Sequence, residues 1–122
     1  MKFTYSLFVA LCLAIISLTF PTLALASDDH ECAHEPTVES LHHCVLHAAE
    51  AGHIDNPGVT TSLLSKLDAA QGALDLGQTD VAVNILQGFI HAVEAQAGKH
   101  IDEEHAAHMI EHANMVITAL SQ

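Results

Sequence analysis

The chain has 122 residues, three Lys and Arg against fifteen Asp and Glu, a formal net charge of −12, half of its residues hydrophobic and no tryptophan. Such acidity excludes nucleic acid and anionic membrane surfaces as partners, since both repel a polyanion, and it favours cations. Eleven histidines, all between His30 and His112, supply imidazole, the commonest side-chain metal ligand, at unusual density.

Residues 1–26 read as a secretory signal peptide. Lys2 supplies the positive start, Leu7 to Phe20 the apolar run, and Pro21 with Ala24-Leu25-Ala26 a small-residue cleavage site that leaves Ser27 first. The expected location is therefore the periplasm or the medium, with no membrane attachment after cleavage. The remaining 96 residues, 122 less a 26-residue leader, suffice for one small domain with a single core. In them Lys66 and Lys99 face all fifteen carboxylates, a net charge of −13. Cys32 and Cys44 are the only cysteines left, and export favours a disulfide between them. Two soft metal ligands are the alternative, and the sequence leaves both open.

Residues 27–36 (SDDHECAHEP) carry acids, His30, Cys32 and His34 without apolar periodicity, and read as an extended arm. The domain proper is expected over 37–122. Thr37 can cap a first helix in which Val38, Leu41, Val45 and Ala48 recur at helical spacing, ending at Gly52. Asn56 and Pro57 mark the cap and first residue of a second, with Leu63, Leu67, Ala70 and Leu74 inward and a stop at Gly77. Thr79 is expected to cap a third, with Ala82, Leu86, Phe89 and Val93 inward and Gly98 closing it. Asp102 is expected to cap a fourth, with Glu103 and Glu104 in its first turn and Met109, Ile110, Ala113, Val116, Ile117 and Leu120 inward. Four amphipathic helices on short connections predict an all-α fold, a small antiparallel four-helix bundle with an extended N-terminal arm.

Several spaced motifs resemble a known family. Gly52-His53-Ile54-Asp55-Asn56-Pro57-Gly58-Val59, the run from Ser62 to Ala70, Phe89-Ile90 and Gly98-Lys99-His100-Ile101 are similar to the FIMAH domain, a small helical module of secreted bacterial hydrolases and surface proteins. The resemblance spans Thr37 to Gln122 and implies a helical fold and an extracytoplasmic setting. It supplies no catalytic residues. We read the domain here as standalone, and its histidines as a feature the resemblance does not explain.

On the fourth helix, at about 100° per residue, His105, His108 and His112 fall within about 60° of arc, bordered by Glu104 and Glu111. The stripe is expected off the core, on the flank of the helix or in solvent. Imidazoles at i and i+4 can share one metal ion. His43 and His47 repeat that spacing on the first helix, with Cys44 at the edge of their face. Antiparallel neighbours would bring the two pairs to one height, as a shared or paired site. His30 and His34 add a mobile ligand set. His42 reads as a boundary residue, and His53, His91 and His100 as solvated surface residues.

His108-Met109-Ile110-Glu111-His112 matches the H-x-x-E-H pattern of inverted zinc proteases, but only ten residues follow it, and His105 would crowd the position a catalytic zinc keeps open. No phosphate loop, haem motif or nucleophile elbow is present. The expected function is reversible binding of transition-metal ions by an exported non-enzyme. Copper is the first guess because Met109, Met115 and the cysteines add sulfur, with nickel, zinc and cobalt open. A periplasmic partner protein and a homodimer bridged by histidines are further expectations. The alternative is a non-catalytic interaction module whose histidines are incidental or pH-responsive.

Overall fold

The computed structural model describes residues 35–122. The expected signal peptide at 1–26 and the expected arm residues His30, Cys32 and His34 lie outside them. Four helices follow: α1 (Val38–Glu50), α2 (Pro57–Asp75), α3 (Thr79–Gln96) and α4 (Glu103–Leu120). α1 packs on α2, α2 on α3, α3 on α4 and α4 back on α1, with no diagonal pair. Short connections and this closed ring make the antiparallel four-helix bundle expected from the periodicity.

Local chemistry sets most of the boundaries. Thr37 accepts from the Ser40 amide at 3.1 Å, and Asn56 accepts from Gly58 at 2.9 Å and Val59 at 3.3 Å, with Pro57 opening α2 where no amide is needed. Gly52, Gly77 and Gly98 take φ of 86°, 72° and 71° just beyond α1, α2 and α3. Two expectations are corrected. Thr79 lies inside α3 rather than capping it, because Gln78 occupies the N-cap without a side-chain bond. Asp102 is at the N-cap of α4 but makes no capping bond, since its carboxylate is engaged elsewhere.

The core is one cluster running from Val38, Leu41 and Val45 through Leu63, Leu67 and Ala70 to Leu86, Phe89 and Val93, closed by Met109, Ala113 and Val116. On α4 the buried set is Ala106, Met109, His112, Ala113 and Val116, whereas Ile110, Ile117 and Leu120 are only half-buried. The inner face is thus rotated toward the histidines relative to the apolar pattern. Ala73 likewise replaces Leu74 as the buried residue of the last turn of α2.

Two glycines make opposite predictions. An added Cβ at Gly72, inside α2, meets nothing within 4 Å, so Gly72→Ala should raise stability by about 0.5–1 kcal/mol through helix propensity. At Gly98 a Cβ would be strained at φ 71° and lie 3.0 Å from Glu103 Oε1, so Gly98→Ala should lower stability by about 1–2 kcal/mol. Urea midpoints of the two variants check both signs.

Candidate metal centre

The α1–α2 and α3–α4 connections cross. His53-Ile54-Asp55 and His100-Ile101-Asp102 run antiparallel, with the Asp55 amide donating to the His100 carbonyl and the Asp102 amide to the His53 carbonyl, each at 3.0 Å. In extended backbone successive side chains point to opposite sides. Ile54 and Ile101, 5% and 2% exposed, go down into the core, which leaves the flanking histidines and aspartates on the outer side. Cross-strand neighbours then pair by hydrogen bonding. His53 Nδ1 bonds to Asp102 Oδ2 and His100 Nδ1 to Asp55 Oδ1, both at 2.7 Å, with the imidazole N–H donating. This diversion of the Asp102 carboxylate is why α4 lacks a side-chain cap.

His105, one turn into α4, completes one half of the crossing. Its ring stacks on that of His53, centroids 3.5 Å apart and planes within 12°, and its Nδ1 lies 3.9 Å from Asp102 Oδ2. Donor atoms of His53, Asp102 and His105 all lie within 4.8 Å of one another, the one such group of three among the described residues. Neighbouring ligands on a tetrahedral ion with bonds of about 2.0–2.2 Å stand about 3.3–3.6 Å apart, so closing the set around a metal requires the two rings to unstack and tilt toward a common point. The corresponding position beyond Asp55 on α2 is Gly58, so the His100–Asp55 half has no third donor there.

The cluster corrects the reading of His53 and His100 as plain solvated residues. His53 is half-buried and paired, and His100, though exposed, is held by Asp55. A signal for this was available: the tripeptide His-Ile-Asp occurs twice, each time shortly after a positive-φ glycine and at the entry to a helix.

The expected stripe on α4 divides three ways. His105 joins the crossing, His108 is exposed, and His112 is 2% exposed. The flank position expected for His112 is therefore wrong, because the inner face of α4 is rotated toward it. Its Nε2–H donates to the Glu35 carbonyl at 2.7 Å, and its Nδ1 lies 3.5 Å from Cys44 Sγ. His43, His47, Glu104 and Glu111 are exposed. The structure brings none of these four into a three-donor group with His108 or His112. The H-x-x-E-H residues are not gathered either, since His112 turns inward while His108 and Glu111 face solvent. His42 pairs with Asp68 at 3.3 Å across α1 and α2, and His91 with Glu94 at 3.2 Å along α3. Exposed pairs of this kind contribute little to stability.

Every element that builds the crossing falls inside one recognisable unit. A family model for the FIMAH domain matches residues 38–118, from the first residue of α1 into the last turn of α4. The chain belongs to the FIMAH family. No curated protein and no solved structure matches it. FIMAH domains occur in secreted bacterial proteins, and among the described residues no helix is long and apolar enough to cross a membrane. FIMAH membership covers both His-Ile-Asp segments, Cys44 and His112.

Proposed function

We propose that this FIMAH protein is an exported, non-catalytic binder of transition-metal ions, with its principal site at the loop crossing. The observation that carries the reading is that His53 and Asp102, from two different connections, and His105, from the first turn of α4, bring donor atoms within 4.8 Å of one another. Asp102 fits either of two roles, a ligand or the carboxylate that orients the His53 ring behind the metal, an arrangement that metal-bound histidines commonly use. A two-imidazole, one-carboxylate set suits Cu(II), Ni(II), Zn(II) and Co(II). It contains no sulfur, and Met109 is a core residue, so the sulfur argument for copper has no support at this site. Acidic residues around the crossing, Asp55 and Glu103 among them, draw cations toward it.

An ion here would tie the α1–α2 connection to the start of α4, so binding and folding would reinforce each other. Titration of the untagged protein with each of the four metals tests the reading. Binding of about one equivalent at the crossing is expected, with release on acidification because ligating imidazoles must be deprotonated. Affinity no tighter than about millimolar for all four would refute it.

Membership of a family of helical modules favours a second reading, in which the domain docks on another protein and its histidines are incidental. In that case thermal stability and oligomeric state should be indifferent to added metal. The first reading predicts a melting temperature that rises with metal concentration.

A further inference from the structure

The buried contact between Cys44 and His112 joins α1 to α4 about two turns along α4 from His105, and the crossing makes no use of it. We propose that Cys44 and His112 form the centre of a second, sulfur-bearing metal site between α1 and α4, selective for thiolate-preferring ions such as Zn(II), Co(II) or Cu(I). The inference extends the metal-binding reading to a new site, and its test is independent of the first.

Three observations carry it. Cys44 and His112 are 6% and 2% exposed and come from different helices, with Sγ and Nδ1 3.5 Å apart. Bonds of about 2.3 Å to sulfur and 2.0–2.1 Å to nitrogen at a tetrahedral ion place the two ligand atoms about 3.5 Å apart, so the pair, an S–H···N hydrogen bond without metal, stands at a spacing that an ion replacing the thiol proton would keep. The Glu35 carbonyl, 2.7 Å from His112 Nε2, fixes the ring tautomer. With the proton held on Nε2, the lone pair of Nδ1 is the one directed at sulfur. Metal-bound histidines are typically set in this way, the distal N–H on a carbonyl or carboxylate and the other nitrogen on the ion.

Further donors stand at the right height. α1 and α4 are antiparallel, so the step from Cys44 forward to His47 and the step from His112 back to His108 go the same way along the bundle. They amount to about 4.5 Å and 6 Å at 1.5 Å per residue. Both histidines are exposed, so core packing does not hold their rings. Tetrahedral sites of one thiolate and imidazoles bind borderline and soft ions, with the thiol giving up its proton on binding. The two sites would thus differ in donor type, the crossing holding nitrogen and oxygen and the α1–α4 seam sulfur and nitrogen, with Zn(II) and Co(II) suited to both and Cu(I) to the seam alone.

Co(II) added to untagged protein, reduced with a phosphine that is then removed, is the direct probe. The expected result is a thiolate-to-cobalt charge-transfer absorption in the near ultraviolet. It should persist in Cys32→Ala and in the His53→Ala/His105→Ala double variant, and vanish in Cys44→Ala. His112→Ala should reduce it at least tenfold at fixed metal. Circular dichroism checks that the variants fold, and Cys44→Ala, which removes only a small side chain, keeps the test decisive if His112→Ala does not. Absence of the absorption at cobalt saturation in Cys32→Ala protein, or its survival in Cys44→Ala, would overturn the proposal. Heat of binding at the crossing without the absorption would overturn this site alone, and the absorption without binding at the crossing would overturn only the crossing.

Discussion

His105→Ala should weaken binding of the preferred metal by at least about 100-fold, while His108→Ala, one turn along the same helix, should change that affinity less than about threefold. The contrast follows from where the two rings stand. His105 is stacked on His53 and sits 3.9 Å from Asp102 Oδ2, whereas His108 is exposed and belongs to no three-donor group. Even the residues that orient a ligand from behind commonly contribute 10- to 100-fold to affinity, so loss of a ligand should do no less. Asp102→Asn should show an intermediate loss, since an amide oxygen can still accept from His53 but carries no charge. Isothermal titration at constant ionic strength reads all three. Equal losses in His105→Ala and His108→Ala would instead point to the helix stripe as the site.

Phe89→Ala should destabilise the domain by about 3–5 kcal/mol, the range for a large buried aromatic whose cavity cannot collapse. Among the described residues Phe89 is the largest fully buried side chain, and it joins the core cluster from α3, the helix that packs on both α2 and α4. In a domain of this size each kcal/mol moves the melting temperature by about 4–8 °C, so the variant should melt at least roughly 12 °C lower. A urea midpoint that falls with an unchanged slope would show that stability, and not compactness, has altered. Metal at about 100 times its Kd should return about 2.7 kcal/mol, because binding to the folded crossing opposes unfolding. A change below about 1 kcal/mol would contradict the packing described for Phe89.

Much of the fold was legible because helices announce themselves through period and punctuation. Thr37, Asn56-Pro57 and the glycines at 52, 77 and 98 placed the boundaries, and the Leu63-Leu67-Ala70 and Leu86-Phe89-Val93 rows placed the inner faces. α4 was less legible. A helical wheel weighted by apolarity counts Ile117 and Leu120 inward, but near the end of the last helix they are only half-buried, and His112 takes the interior place with both ring nitrogens engaged. The candidate site was legible in composition and only partly in position. Spacing along one helix detects His105, His108 and His112 but cannot see that His105 meets His53, since that contact depends on two connections crossing. The repeated His-Ile-Asp carries the missing long-range information. Its buried isoleucines fix the register that sets each histidine opposite an aspartate.

The central claim, a metal ion held at the crossing by His53, His105 and Asp102, is tested most directly by following the eleven imidazoles in nuclear magnetic resonance spectra during a zinc titration. In Cys44→Ala protein, which lacks the seam thiol, the account predicts that the ring signals of His53 and His105 shift together and saturate at one equivalent, before those of His43, His47 or His91 respond. If His53 and His105 stayed unmoved while the helix-surface histidines shifted first, or if no imidazole responded, the crossing would not be the metal centre.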